Sequence, residues 1–171
     1  SDLQDNTATE RGSRAIAASL PSWPRLSELN LSDCLLRPKG GVSIMNVLVK
    51  GSNPLLTSLK LQSNELDQRA INILATAITR HSPSLINLEL NGNRGEDEDE
   101  CYEKVRRALE IWGHEDALDE LDEMEEIEED DDDEDEDDDE DEEGAEATSV
   151  EGNEAKVEVG EPEEVVQEVD G

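Results

Sequence analysis

Leu26, Leu56 and Leu85 open three copies of one pattern, L-x-x-L-x-L-x-x-(N/C), in LSELNLSDCLL (26–36), LTSLKLQSNEL (56–66) and LINLELNGNRG (85–95). The last pattern position holds Cys34, Asn64 and Asn93. The opening LQDN reads as a truncated fourth copy, in which Leu3 and Asn6 stand where Leu31 and Cys34 stand in the next. Self-similarity at a fixed period of about thirty restricts what the chain can fold into. Each unit is too small to bury its own apolar face, so it must stack on its neighbours.

The spacing assigns a place to each residue. Leu29 and Leu31 alternate along a short strand and point to one face, and Leu26 reaches the same core from the preceding turn. The short amide of Asn6, Asn64 or Asn93 satisfies backbone groups where the chain bends away from the strand. Cys34 substitutes there as a small, weakly polar side chain. These four positions are structural. Between the strands the period becomes that of a helix. Ile71, Leu74, Ala75 and Ile78 fall at i, i+3, i+4 and i+7 behind Asp67 as N-cap. Ile44, Val47 and Leu48 share a face in a helix ended by Gly51, and Ile16 and Leu20 belong to an earlier one. Pro24, Pro54 and Pro83 each sit two positions before a first Leu, where they block helix continuation. Cys101, Val105, Leu109 and Trp112 form a stripe on a helix over about 99–112, expected as the C-terminal cap. The fold expected is α/β: a leucine-rich repeat solenoid over residues 1–113, with parallel strands inside, helices outside and a truncated N-terminus that leaves an apolar face exposed.

Charge divides the chain. Residues 1–114 carry 13 Lys/Arg and 15 Asp/Glu, whereas 115–171 carry one Lys and 33 Asp/Glu, and together they make the net charge of −34. A segment so acidic and so poor in apolar residues cannot offset chain entropy by burial, so residues 114–171 are expected to be a disordered acidic tail. Within it, Leu118, Leu121, Met124 and Ile127 recur near a period of three, as in a transient helix or a short segment that docks on a partner. The two cysteines make no disulfide framework, and no signal peptide or run of roughly 18 apolar residues marks a membrane segment. Nucleic acid is disfavoured because its phosphates are repelled, whereas basic proteins are attracted.

Nothing in the pattern supports catalysis. No HExxH, GxSxG, P-loop or dinucleotide-binding motif occurs. Carboxylates in a flexible run have no fixed separation, so they cannot act as a paired acid and base. No cofactor and no metal site are expected; the chain reads as a binding module.

The motifs WPRLSELNLSDCLL (23–36), LKLQSNELD (59–67), LELNGNR (88–94) and LDELDEMEE (118–126) resemble the C-terminal part of fungal Ran GTPase-activating proteins. That resemblance implies ribonuclease-inhibitor-like repeats that bind GTP-bound Ran and stimulate its GTP hydrolysis in nucleocytoplasmic transport. The chain would then be a GTPase activator rather than an enzyme itself, cytoplasmic and extending to the nuclear envelope. The family orders the GTPase's own glutamine, helped by an Asn and an Arg of early repeats that have no counterpart here. It contacts Ran through loops leaving the strands, so the equivalent edge includes Asp5, Asp33, Lys39, Glu65 and Arg94. The acidic segment would meet a basic patch on Ran and raise the association rate. The alternative reading is an acidic leucine-rich repeat chaperone of histones or other basic proteins. The length of the period and the long helices favour the first.

Overall fold

Each full leucine pattern forms a short strand. In the computed structural model, which describes residues 2–4 and 8–126, Glu28–Asn30 (β1), Ser58–Lys60 (β2) and Asn87–Glu89 (β3) make one parallel sheet in the order β1-β2-β3. Equivalent residues are register partners: Leu29 lies opposite Leu59, and Leu59 opposite Leu88. Parallel neighbours need a long crossover, which helices supply. These are α1 (Glu10–Ser19), α2 (Arg37–Leu48), α3 (Gln68–His81) and α4 (Glu100–Glu110), each packed on the next. The expected α/β arrangement with parallel strands is present.

The buried set follows the repeat. Leu29, Leu31, Leu56, Leu59, Leu61, Leu85, Leu88 and Leu90 are all buried, while Leu26 is half-buried. Burying such a side chain contributes about 2 kcal/mol relative to leaving it in water. Helix faces complete the core with Ile44, Met45 and Leu48 from α2, and Ile71, Leu74, Ala75 and Ile78 from α3. Asp67 caps α3 by accepting from the Ala70 N–H at 2.9 Å. In α4 the stripe of Cys101, Val105 and Leu109 is buried and joined by Tyr102 and Ala108. Trp112, the last residue of the expected stripe, is partly exposed, and its indole N–H donates to the Ile78 carbonyl at 2.9 Å. The acids after Gly95 serve this helix. Glu100 and Glu103 occupy its first turn, where the helix dipole favours negative charge, and Asp97 and Glu103 pair with Arg106.

Polar contacts fasten one unit to the next. Asn64 Oδ1 accepts from the N–H groups of Cys34 (3.0 Å) and Leu36 (3.3 Å) in the preceding unit. Its Nδ2 donates to Leu31 O at 2.8 Å and to the carbonyls of Leu61 and Gln62 at 3.0 Å. Asn93 repeats the scheme, accepting from Asn64 N–H (3.2 Å) and Leu66 N–H (3.0 Å) and donating to Leu61 O (2.9 Å) and Leu90 O (2.7 Å). Both side chains are fully buried, so each amide answers groups that water cannot reach. Cys34 takes the same place with one thiol, which lies 3.0 Å from Leu3 O. Asn6 lies outside the described residues.

The chain departs from expectation after α4. Residues 114–126, expected to begin the tail, lie along the free edge of β3. Leu118 bridges Leu88 in parallel, and the Asp119 N–H donates to Leu88 O at 3.0 Å. Further on, Glu125 N–H donates to Asn93 O (2.8 Å), and Gly95 N–H donates to Glu125 O (2.9 Å). Leu121 is buried, and Leu118 and Met124 pack against the core. Leu118, Leu121 and Met124, expected in a transient helix or a segment docking on a partner, instead lie against the chain's own core along the edge of β3, which no other strand covers among the described residues. Asp119 supplies the missing acceptors. Leu31 N–H and Leu61 N–H donate to strand carbonyls of the next unit, at Lys60 and Glu89, but Leu90 N–H donates to Asp119 Oδ1 at 2.8 Å. Asn91 N–H and Gln62 Nε2 share Asp119 Oδ2, both at 3.2 Å. At the other end, Leu3 N–H donates to Asn30 O at 2.9 Å, pairing the partial opening copy with β1. Ile127 and the acidic residues beyond it lie outside the described residues.

Replacing Asn64 by Ala orphans the buried N–H groups of Cys34 and Leu36 and removes the donor to Leu31 O, and should cost about 3 kcal/mol or more in urea unfolding. Asp119→Ala leaves Leu90 N–H without an acceptor and should cost about 1–3 kcal/mol, whereas Asp116→Ala should stay within about 0.5 kcal/mol.

Candidate partner-binding edge

The loops that leave the strands are built on left-handed backbone. Asp33, Ser63 and Gly92 occupy equivalent positions with φ of 54°, 51° and 71°, and two positions on Leu35 and Glu65 repeat it at 49° and 55°. Such conformations are strained for non-glycine residues and persist only where surroundings impose them. Here the imposing contacts are visible. Asp33 N–H donates to Gln62 O (2.9 Å), Ser63 N–H to Asn91 O (3.0 Å), and the buried amides of Asn64 and Asn93 hold the residues between. A Cβ on Gly92 would come within 2.8 Å of Ser63 Oγ and 3.3 Å of Ser63 N, which favours glycine at this copy of the turn.

This scaffold sets the candidate residues. Asp33 is exposed at its turn, and Lys39 is exposed in the first turn of α2. Glu65 and Arg94 are brought together in an ion pair of 3.1 Å, with side chains 29% and 21% exposed. Their partial burial distinguishes them from solvated surface pairs, which contribute little. Asp5 lies outside the described residues. The Arg94 carbonyl accepts from the Tyr102 hydroxyl at 3.0 Å, so the cap helix also braces this loop.

The open face of the sheet carries a second polar group that reading the leucines overlooked. Asn30, Lys60 and Glu89 are register partners, and Lys60 Nζ lies 2.8 Å from Glu89 Oε1. Hydrogen bonding and attraction to Glu89 raise the Lys60 pKa above its usual value, against an opposing desolvation. Asn87 Nδ2 donates to Ser58 Oγ (3.0 Å) and Glu89 Oε1 (3.2 Å). The signal was in the sequence: each of these residues occupies an x of the L-x-x-L-x-L pattern, where a strand turns its side chain away from the core. The arrangement offers fixed charges and amides for recognition. Among the described residues no cluster of three or more His, Cys, Asp or Glu could hold a metal ion, and no helix is long and apolar enough to cross a membrane.

Tyr102 gives this edge a pH signature. Burial, then the nearby Cys101, Asp99 and Asp119, hold its hydroxyl well above the usual tyrosine range. A raised acid pKa means the folded state keeps the proton longer, so its stabilisation is complete below about pH 10 and is lost as pH rises above that. Because the chain contains a single tyrosine, tyrosinate absorbance reads Tyr102 alone and should develop at higher pH in the native than in the urea-unfolded chain. Tyr102→Phe should cost about 1 kcal/mol at neutral pH and reduce the alkaline loss of stability, leaving the shares from the raised Cys101 and Lys60 pKa values.

No family model matches the chain. Comparison with curated proteins finds Ran GTPase-activating protein 1 of Saccharomyces cerevisiae, 37% identical over 108 residues, which is 61% of this chain and 26% of that protein. The chain thus spans about a quarter of the length of the curated relative it matches. The resemblance carried by residues 23–36, 59–67, 88–94 and 118–126 is borne out at this level: the chain is similar to a stretch of a fungal Ran GTPase-activating protein.

Proposed function

We propose that this chain is the C-terminal repeat region of a Ran GTPase-activating protein and engages GTP-bound Ran along the strand-to-helix edge. The observation that carries this reading is the 37% identity to the yeast activator over 108 residues. On this reading the strand–helix units are leucine-rich repeats of a solenoid whose inner face is the sheet. Asp33, Lys39, Glu65 and Arg94, with Asp5 ahead of them, form the contact edge. The Glu65–Arg94 pair fits that role because its two charges are pre-set at 3.1 Å and need little ordering on binding.

The chain supplies binding rather than catalysis. The early-repeat Asn and Arg that the resemblance assigns to stimulating hydrolysis have no counterpart in residues 1–171. The 24 carboxylates of residues 115–143 would steer basic surfaces toward the edge, an effect on association rate that salt suppresses. The site of action on this reading is the cytoplasm, including the nuclear envelope.

Single-turnover GTP hydrolysis by Ran tests the reading. Residues 1–171 alone should leave the rate close to its intrinsic value, and in excess should compete with the intact yeast activator. Arg94→Glu should weaken that competition about tenfold by placing a like charge against Glu65 and the partner's complementary group. Binding to core histones without binding to Ran·GTP would replace this reading with the basic-protein chaperone.

A further inference from the structure

The helical side carries a groove that the loop edge and the sheet leave unused. It lies between α3 and α4, encloses about 450 Å³ and is floored by Ala75 and Ala108. Small side chains at both positions let the groove open between two otherwise closely packed helices. Three cations line it, Arg80, Lys104 and Arg107, and no carboxylate does. In a chain with 48 Asp/Glu and 14 Lys/Arg, such segregation of positive charge is a local departure from the composition. Lys104 is held by Glu100 (3.2 Å) and Asn72 Oδ1 (3.1 Å). Arg80 and Arg107, both exposed, have no ion pair or side-chain hydrogen bond among the described residues. Ile111, 61% exposed, stands one turn beyond Arg107 and extends the apolar floor.

We infer that this groove docks an acidic amphipathic peptide segment of a partner protein, its carboxylates meeting Arg80 and Arg107 and its apolar side chain resting on Ala75, Ala108 and Ile111. Charge complementarity and the apolar strip decide the class of occupant together. Guanidinium groups form bidentate pairs with carboxylates, and an amphipathic helix laid in a groove offers an apolar face beside charged side chains. A nucleic-acid backbone would pair with the cations but leave Ile111 uncovered, and the acidic residues elsewhere on the chain would repel its phosphates. The net charge of the chain does not forbid an acidic peptide. At physiological salt, fields fade over about 8 Å, so the charges lining the groove outweigh those farther off. The inference is independent of Ran binding, since it uses helices α3 and α4 rather than the strand-to-helix loops.

Fluorescence anisotropy with residues 1–171 and a labelled helical peptide of Glu, Leu and Ala, leucines on one face, tests it. The same peptide with Lys for Glu and a single-stranded RNA serve as controls. Saturable binding of the acidic peptide is expected, weakening with salt and reduced about tenfold in the double variant Arg80→Glu/Arg107→Glu, as two lost charge pairs predict. Ile111→Ser should weaken it severalfold with its salt dependence unchanged. Thermal melts of each variant confirm folding, and Arg80→Gln/Arg107→Gln replaces the reversal if that variant does not fold. The inference is overturned if the acidic peptide does not saturate, if the charge variants bind it as the parent does, or if the RNA binds through the same arginines while the peptide does not.

Discussion

The structure depends on a side-chain amide placed where a strand bends into a loop. A sheet of such short strands offers few backbone hydrogen bonds, and the turn that follows each strand leaves N–H and C=O groups facing the interior. Asn64 and Asn93 resolve this by pointing their amides at the preceding unit as well as their own. Apolar burial supplies the larger share of the free energy, but it is non-directional and would tolerate a slipped register. The amide contacts are directional. They lock each unit to its neighbour at one offset and hold the left-handed turns that display Asp33, Glu65 and Arg94.

Much of this was legible in the leucines. A side chain that recurs once in every copy of the pattern has to fill equivalent places in a stack, and Leu29, Leu59 and Leu88 do so. Asp67 as a helix cap and the face of Ile71, Leu74 and Ile78 followed from local rules that tertiary packing did not override. The fate of residues 114–126 was not legible by composition, because composition counts charges and not positions. Yet Leu118 follows Leu88 in step with the repeat, and pairs with it. The period continued into a sequence too acidic to be recognised as a further copy. Tyr102 was missed for another reason: its neighbour Cys101 already completed the helical stripe, and nothing in the sequence marks a phenol that must reach the Arg94 carbonyl.

The candidate site was legible only as an edge. Sequence reasoning placed Asp33, Lys39, Glu65 and Arg94 on the loops that leave the strands, but which of them touch is a matter of geometry. Glu65 pairs with Arg94 of the next unit because both occupy the same side of adjacent turns. Lys60 and Glu89 pair for the same reason on the sheet face. In each case stacking converts a sequence interval of one repeat into direct contact, 2.8 Å for one pair and 3.1 Å for the other. Neighbouring charges on such a surface are therefore coupled in rows across units, and altering one member changes the electrostatics of its row more than of its own loop.

Asp119 closes the stack in a way that bears on its length. A carboxylate accepts hydrogen bonds but does not donate them, so at Leu90 and Asn91 the strand-to-strand ladder ends on a side chain instead of passing to a further strand. Cutting the chain ahead of Leu118 would uncover a row of peptide groups with apolar residues beside them, the kind of surface on which separate molecules join into aggregates. Residues 118–126, acidic as they are, thus act as the cover of an edge that would otherwise stand open.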